Sequence, residues 1–113
     1  MTPLTTEDFA CSIEAEYAVV LFVATWANTS DVRSRMEDAE RAFSPRVRFF
    51  EVDADAVPQF VNQLGIQSVP SIAYYRAGKL LGVVVGAYQD ISAETATLID
   101  GESSWLARRQ RLA

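Results

Sequence analysis

Apolar residues fall along the chain in two rhythms. Residues 17–24 (YAVVLFVA) form a nearly unbroken apolar run, rich in valine and too short for most buried helices. That pattern predicts a strand covered on both faces, as at the centre of a parallel sheet. Residues 31–43 follow a helical rhythm, with Val32, Met36, Ala39 and Phe43 at i, i+4, i+7 and i+11. Arg33–Glu37 and Glu37–Arg41 are spaced as ion pairs on the outer face, each worth about 0.3 kcal/mol. Asn28, Thr29 and Ser30 are all competent caps for the start of this helix, with Ser30 the favoured one. Pro45 ends it. Asp31, Glu37, Asp38 and Glu40 read as a solvated face.

Shorter segments complete the order. A helix is expected at 5–13, capped by Thr5 or Thr6, with Glu7 and Asp8 at its positive end and Phe9 and Ile13 on one face. Cys11 falls inside it and reads as core filling. Residues 47–52 (VRFFEV) predict a second strand, and 58–64 a short helix with Pro58 at its first turn and Gly65 past its end. Strands at 71–75 and 80–85 are joined by the hairpin-length stretch 76–79. A last helix runs from an Asp90 or Ser92 cap to Ile99 and is broken by Gly101. The tail can start a new helix at Ser103 or Ser104. The order α, β, α, β, α, β-hairpin, α implies a parallel pair extended by antiparallel strands. Residues 1–101 read as one domain and 102–113 as a C-terminal tail.

Composition narrows the chemistry. The chain of 113 residues has no histidine and one cysteine. Without histidine there is no Ser-His-Asp triad, no Cys-His dyad and no His-ligated metal. With one cysteine there is no intrachain disulfide, no Cys-x-x-Cys dithiol and no Cys₄ zinc site. No metal or cofactor is expected. A net charge of −5, from 10 basic and 15 acidic residues, argues against a broad nucleic-acid surface. No apolar run approaches the roughly 18–20 residues of a membrane span, and no signal peptide is visible at the N-terminus. Cytoplasmic residence is the default expectation.

Three local motifs then carry a resemblance. VVLFVATW, residues 19–26, is similar to the strand that delivers the active site of a thioredoxin. VDADAVPQFVNQLGIQSVPS, residues 52–71, is similar almost position by position to the family's stretch that ends at its cis-proline. YYRAGKLLGVVVGAY, residues 74–88, is similar to the terminal hairpin and the glycine after it. The chain therefore resembles the thioredoxin family over roughly residues 5–100. The resemblance implies an α/β thioredoxin-like fold: a four- or five-stranded mixed sheet with helices on both faces. It also implies that Pro70 is the cis-proline.

The family's chemistry is not carried over. Where a thioredoxin has Trp-Cys-Gly-Pro-Cys, this chain reads Trp26-Ala27-Asn28-Thr29-Ser30. Ala27 stands at the nucleophile and Ser30 at the resolving cysteine. Leu21 stands at the position of the family's buried aspartate, and Glu51 at that of the lysine near it. Thiol–disulfide exchange needs a thiolate attacking sulfur, and these positions hold no sulfur.

The family's other feature is a shallow groove for an extended peptide, and the resemblance implies one here. Trp26, Val69, Pro70, Gly86 and Ala87 would line it, with Asn28 and Thr29 in the adjoining turn. The expectation is a redox-inactive binding protein: an adaptor, assembly factor or chaperone-like subunit that holds a protein or peptide partner. The alternative is a thiol-disulfide oxidoreductase with a monothiol Trp-Cys-x-x-Ser site whose cysteine is replaced by Ala27. That alternative accounts for Ser30 but not for Leu21 or Glu51. A monomer and a homodimer both stay open. The tail, with Trp105, Arg108 and Arg109, is a candidate docking segment. Its bland counterpart is a helix that packs Trp105 and Leu106 on the body and leaves the arginines in water.

Overall fold

The structure is a computed structural model that describes residues 1–5, 8, 11–86 and 90–112. Its centre is the apolar run of the sequence. Strand β2 (Tyr17–Val23) is buried over nearly its whole length. Alternation splits its side chains between two cores. Tyr17, Val19 and Leu21 join one, while Ala18, Val20 and Phe22 join the other. A strand buried on both faces has no reason to alternate apolar with polar, so the unbroken run and the central position are one fact.

Around β2 a single five-stranded sheet runs in the order β1-β3-β2-β4-β5. Strand β3 (Arg48–Asp53) pairs with β2 in parallel, with Leu21 opposite Glu51. Strands β4 (Ser71–Arg76) and β5 (Lys79–Val85) extend the other side antiparallel. Strand β1 (Thr2–Pro3) lies parallel to β3 at the far edge. Two residues are too few to show periodicity, so β1 is not legible in the sequence. Proline is tolerated there because an edge strand has one side with no ladder bond to make.

Helix α1 (Ser30–Phe43) buries Val32, Met36 and Ala39 against one face of the sheet. Helices α3 (Ile91–Asp100) and α4 (Glu102–Leu112) add Ile91, Leu98 and Trp105 to that core. The opposite face is covered by Leu4, Val57 and Ile66, with Ile13, Phe60 and Leu64 packed against them. Phe60 and Leu64 come from the short helix α2 (Pro58–Leu64), which ends on the left-handed Gly65. The fold is thus α/β, with helices on both faces of a mixed sheet.

Local chemistry sets the boundaries. The Asp90 side chain accepts the Ala93 N–H at 3.1 Å and caps α3. The last carbonyls of α3 are taken by Arg76, whose Nη1 donates to Leu98 O at 2.9 Å and to Ile99 O at 3.2 Å. That is the placement a helix C-terminus favours for a cation. The hairpin turn is tighter than the sequence suggested: only Ala77 and Gly78 lie between β4 and β5, both at positive φ. That is the backbone of a two-residue turn matching the strand twist.

Some expectations change. Residues 6, 7, 9 and 10 lie outside the described residues, so the expected cap at Thr6 and the face formed by Phe9 are not addressed. Asp8 and residues 11–12 are helical, and the Thr5 hydroxyl accepts the Asp8 N–H at 3.4 Å. Cys11 is exposed and fills no core. The ion pairs on α1 also differ from those read by spacing. Arg33 leaves its own helix to meet Glu51, while Arg35 pairs with Asp31 and Arg41 with Asp38.

Candidate functional site

The turn between β2 and α1 presents the first part of the site. Trp26 is 73% exposed, unusual for so large an apolar side chain. Ala27 is half-buried and its N–H donates to Ala24 O at 3.1 Å. The Asn28 carboxamide oxygen accepts both the Ser30 N–H at 3.3 Å and the Ser30 hydroxyl at 2.8 Å. Ser30 is therefore not the cap expected of it: it is the first residue of α1, and Thr29 occupies the cap position. Thr29 is buried, and its side chain makes no capping bond. Asn28 supplies the acceptor for the first helical amide instead.

The second part lies across the end of the sheet. The Val69–Pro70 peptide bond is cis, as the resemblance implied. The Ser44–Pro45 bond is cis as well, which the sequence did not signal. Pro70 O accepts the Gly86 N–H at 3.1 Å, tying the end of β5 to the start of β4. The Ser71 hydroxyl donates to Ser68 O at 2.6 Å and braces the same loop. Gly86 has φ +110, a conformation other residues rarely adopt. Ala87 lies outside the described residues. Val85, one position earlier, is 59% exposed and was not singled out by the sequence.

Between these parts runs an open groove of about 280 Å³. Trp26 and Val69 both line it. Asp55, Pro58, Val61 and Ile66 supply most of the rest. The sequence showed no reason to place Asp55 or Pro58 near Trp26, because the βα crossover alone brings them together. Pro70 and Gly86 are not among the residues lining it; Pro70 follows Val69 in the chain and is tied to Gly86 by the hydrogen bond just described.

A second cavity, of about 460 Å³, opens on the other side of the turn. Ala27 and Thr29 line it with Arg33, Glu51 and Asp53. Glu51 accepts Arg33 Nε at 2.9 Å. Leu21, its neighbour in the ladder, is fully buried. The side chains of Leu21, Ala27 and Ser30 therefore offer neither a thiol nor a carboxylate behind the turn. A proton-relaying carboxylate would need to stand where Leu21 fills the core. Among the described residues, no group of three or more His, Cys, Asp or Glu side chains could hold a metal ion. Among the same residues, no helix is long and apolar enough to cross a membrane.

The C-terminal segment is not the free docking tail considered from the sequence. Trp105 is 2% exposed and belongs to the main core, tilted against Tyr74 with ring centroids 5.6 Å apart. Arg108 and Arg109 do not extend into water. Both reach the fully buried Glu94 of α3, Arg108 through Nε at 3.1 Å. Burial, and then the nearby Glu94 charge, push the Tyr74 phenol well above its ordinary value. Leu106 stays 42% exposed, against the packing expected of it.

Comparison with known proteins places these features. A protein-family model described as Thioredoxin matches residues 1–97. "Thioredoxin-like 3-2, chloroplastic" of Arabidopsis thaliana is 28% identical over 92 residues, covering 78% of this chain and 48% of the relative. This chain thus spans about half the length of that relative. The "Thioredoxin" of Chlamydia muridarum is 30% identical over 80 residues, which cover 71% of this chain and 78% of the relative. Among solved structures, mitochondrial thioredoxin 3 of Saccharomyces cerevisiae in its oxidised form superposes with a TM-score of 0.74 at 25% identity. The match covers 85% of this chain and 92% of that one.

Proposed function

This chain belongs to the thioredoxin family, and from that premise we propose that it is a redox-inactive member that binds an extended protein or peptide segment. The observation that carries the reading is the pairing of an intact groove with an absent nucleophile. Trp26 stands exposed at a groove of about 280 Å³ that is also lined by Val69, the residue before the cis Pro70. Ala27 and Ser30 occupy the two positions that carry the family's thiols, and the only cysteine, Cys11, lies exposed ahead of β2.

Binding in this mode needs backbone, shape and apolar surface, and no sulfur. An extended segment adds alongside the chain before Pro70 and gains main-chain hydrogen bonds, while its side chains enter the groove. Trp26 contributes large, rigid, half-polar area at little entropic cost. The Pro70–Gly86 hydrogen bond and the Ser71–Ser68 bond hold the loop in place before a partner arrives, which lowers the cost of association. The role is that of an adaptor, assembly factor or chaperone-like subunit. The reading is of a cytoplasmic protein, with which a chain holding no pair of cysteines for an intrachain disulfide agrees.

Two measurements test it. Reduction of insulin with dithiothreitol should proceed at the background rate, and turnover above background would refute redox inactivity. Quantitative affinity enrichment should lose the same partners with Trp26→Ala and with Val69→Asp. Unchanged recovery by both variants would move the interface away from the groove.

A further inference from the structure

We infer that the groove selects a basic segment, one that places an arginine or lysine side chain between the exposed Trp26 ring and the Asp55 carboxylate. The inference rests on the peptide-binding reading and narrows it to a class of partner. Asp55 is the one charged residue among those lining the groove, and it is exposed. None of the chain's ten basic residues lines it. An acidic side chain on the partner would find repulsion there and no counter-ion, whereas a cationic one would find both an ion pair and an aromatic face.

The neighbouring cavity carries the same sign. Glu51 and Asp53 stand two apart on β3 and so share a face of the sheet. Arg33, the one cation lining that cavity, is held by Glu51, so Asp53 adds an unbalanced negative charge. Asp53 Oδ1 accepts the Asp55 N–H at 2.9 Å, which fixes the turn joining the cavity to the groove. That bond orients the Asp53 carboxylate at the edge of the cavity, while the Asp55 carboxylate stands exposed at the groove with Trp26. The net charge of −5 supplies a long-range attraction of the same sign.

The test uses the full chain and three peptides alike but for one central position, which is arginine, citrulline or glutamate, flanked by valine and threonine. Heteronuclear NMR titration reads each dissociation constant. At low ionic strength the arginine peptide should bind about fivefold tighter than the citrulline peptide, with the glutamate peptide weakest. High salt should narrow the gap. Asp55→Asn should close most of it, and Asp55→Lys should reverse the order of the arginine and glutamate peptides. Equal affinity for all three, with Trp26→Ala still weakening each, would keep the groove and overturn the charge inference. An undiminished gap in Asp55→Asn would overturn the role given to Asp55. No binding of any peptide, or binding untouched by Trp26→Ala, would overturn both the groove reading and the inference built on it.

Discussion

The indole of Trp105 lies on the bare Cα of Gly82: a Cβ built on Gly82 would stand 2.6 Å from Cη2 and 3.0 Å from Cζ3 of the ring. The C-terminal helix and the last strand are thus fitted to each other at one point. Gly82→Ala forces a buried ring to move and should destabilise the protein by about 1–3 kcal/mol. Trp105→Ala should cost about 3–5 kcal/mol. In Trp105→Leu the glycine constraint relaxes, so the two changes combined should cost less than their sum. Urea unfolding checks all three. A Gly82→Ala variant as stable as the wild type would refute the fit.

The same helix is held by charge. Glu94 is fully buried and accepts from both Arg108 and Arg109, while its Oε2, the Trp105 Nε1 and the Arg109 Nε have no hydrogen-bond partner among the described residues. Glu94→Ala leaves two half-buried guanidiniums without their anion and should cost about 2–4 kcal/mol. Replacing all three charges together, as Glu94→Leu with Arg108→Met and Arg109→Leu, should cost far less, because no charge is then stranded. Equilibrium unfolding in denaturant distinguishes the two outcomes.

Alkaline pH should weaken the fold. Burial pushes the Tyr75 phenol up from its ordinary value near 10 to about 12, and the Tyr74 phenol is raised by burial and then by Glu94. Below pH 10 both phenols are neutral in the folded and unfolded chain, and their contribution is fully present. Above it the unfolded chain loses protons that the folded chain retains, so stability falls as pH rises from about 10 to 12. The slope is about 1.4 kcal/mol per pH unit for each phenol held neutral. Tyr75→Phe should make the decline shallower in urea unfolding measured across that range; an unchanged slope would contradict the assignment.

Ala77 sits at φ +51 beside Gly78 in the two-residue hairpin turn. An alanine in that region carries a local cost that asparagine or glycine avoids. Ala77→Asn should stabilise by about 0.5–1 kcal/mol, and Ala77→Val should destabilise by a similar amount. Thermal unfolding reads the sign directly.

The exposed Cys11 should react at once with a thiol reagent in the native protein, one thiol per chain. Reaction only after denaturation would show it buried. With Cys11→Ser as background, Ala27→Cys and Ser30→Cys together should bring insulin reduction above background. The rate should stay well below that of a thioredoxin, because the apolar Leu21 takes no proton. Adding Leu21→Asp should raise the rate if the chain still folds, which circular dichroism would report.

The fold was largely readable because its strongest signals are local. The unbroken run at β2, the helical rhythm of α1 and the Pro58–Gly65 bracket around α2 each need only neighbouring residues to be understood. Sequence and structure differ at three positions. Spacing on one helix pairs Arg33 with Glu37, yet β3 brings Glu51 within reach and that pair wins. Residue type places Cys11 in the core, yet it is exposed. Ser30 is a competent cap by residue type, but it is the first residue of α1 and its hydroxyl donates to the Asn28 carboxamide.

For the site, the sequence by itself determined the chemistry that is missing. Ala27, Ser30 and Leu21 are matters of residue identity, and no arrangement of the chain can supply the sulfur or the carboxylate they lack. Tertiary structure decided what the remaining surface is. Trp26 and Val69 are 43 positions apart in numbering, and only the crossover from β2 through β3 to β4 sets them on one groove together with Asp55. It also decided the fate of the tail: Arg108 and Arg109 read as solvated or docking charges in isolation. A buried Glu94 one helix away draws them in, because an unpaired carboxylate cannot remain in the core. Composition sets what a residue can do, and the distances closed by folding set whether it does so.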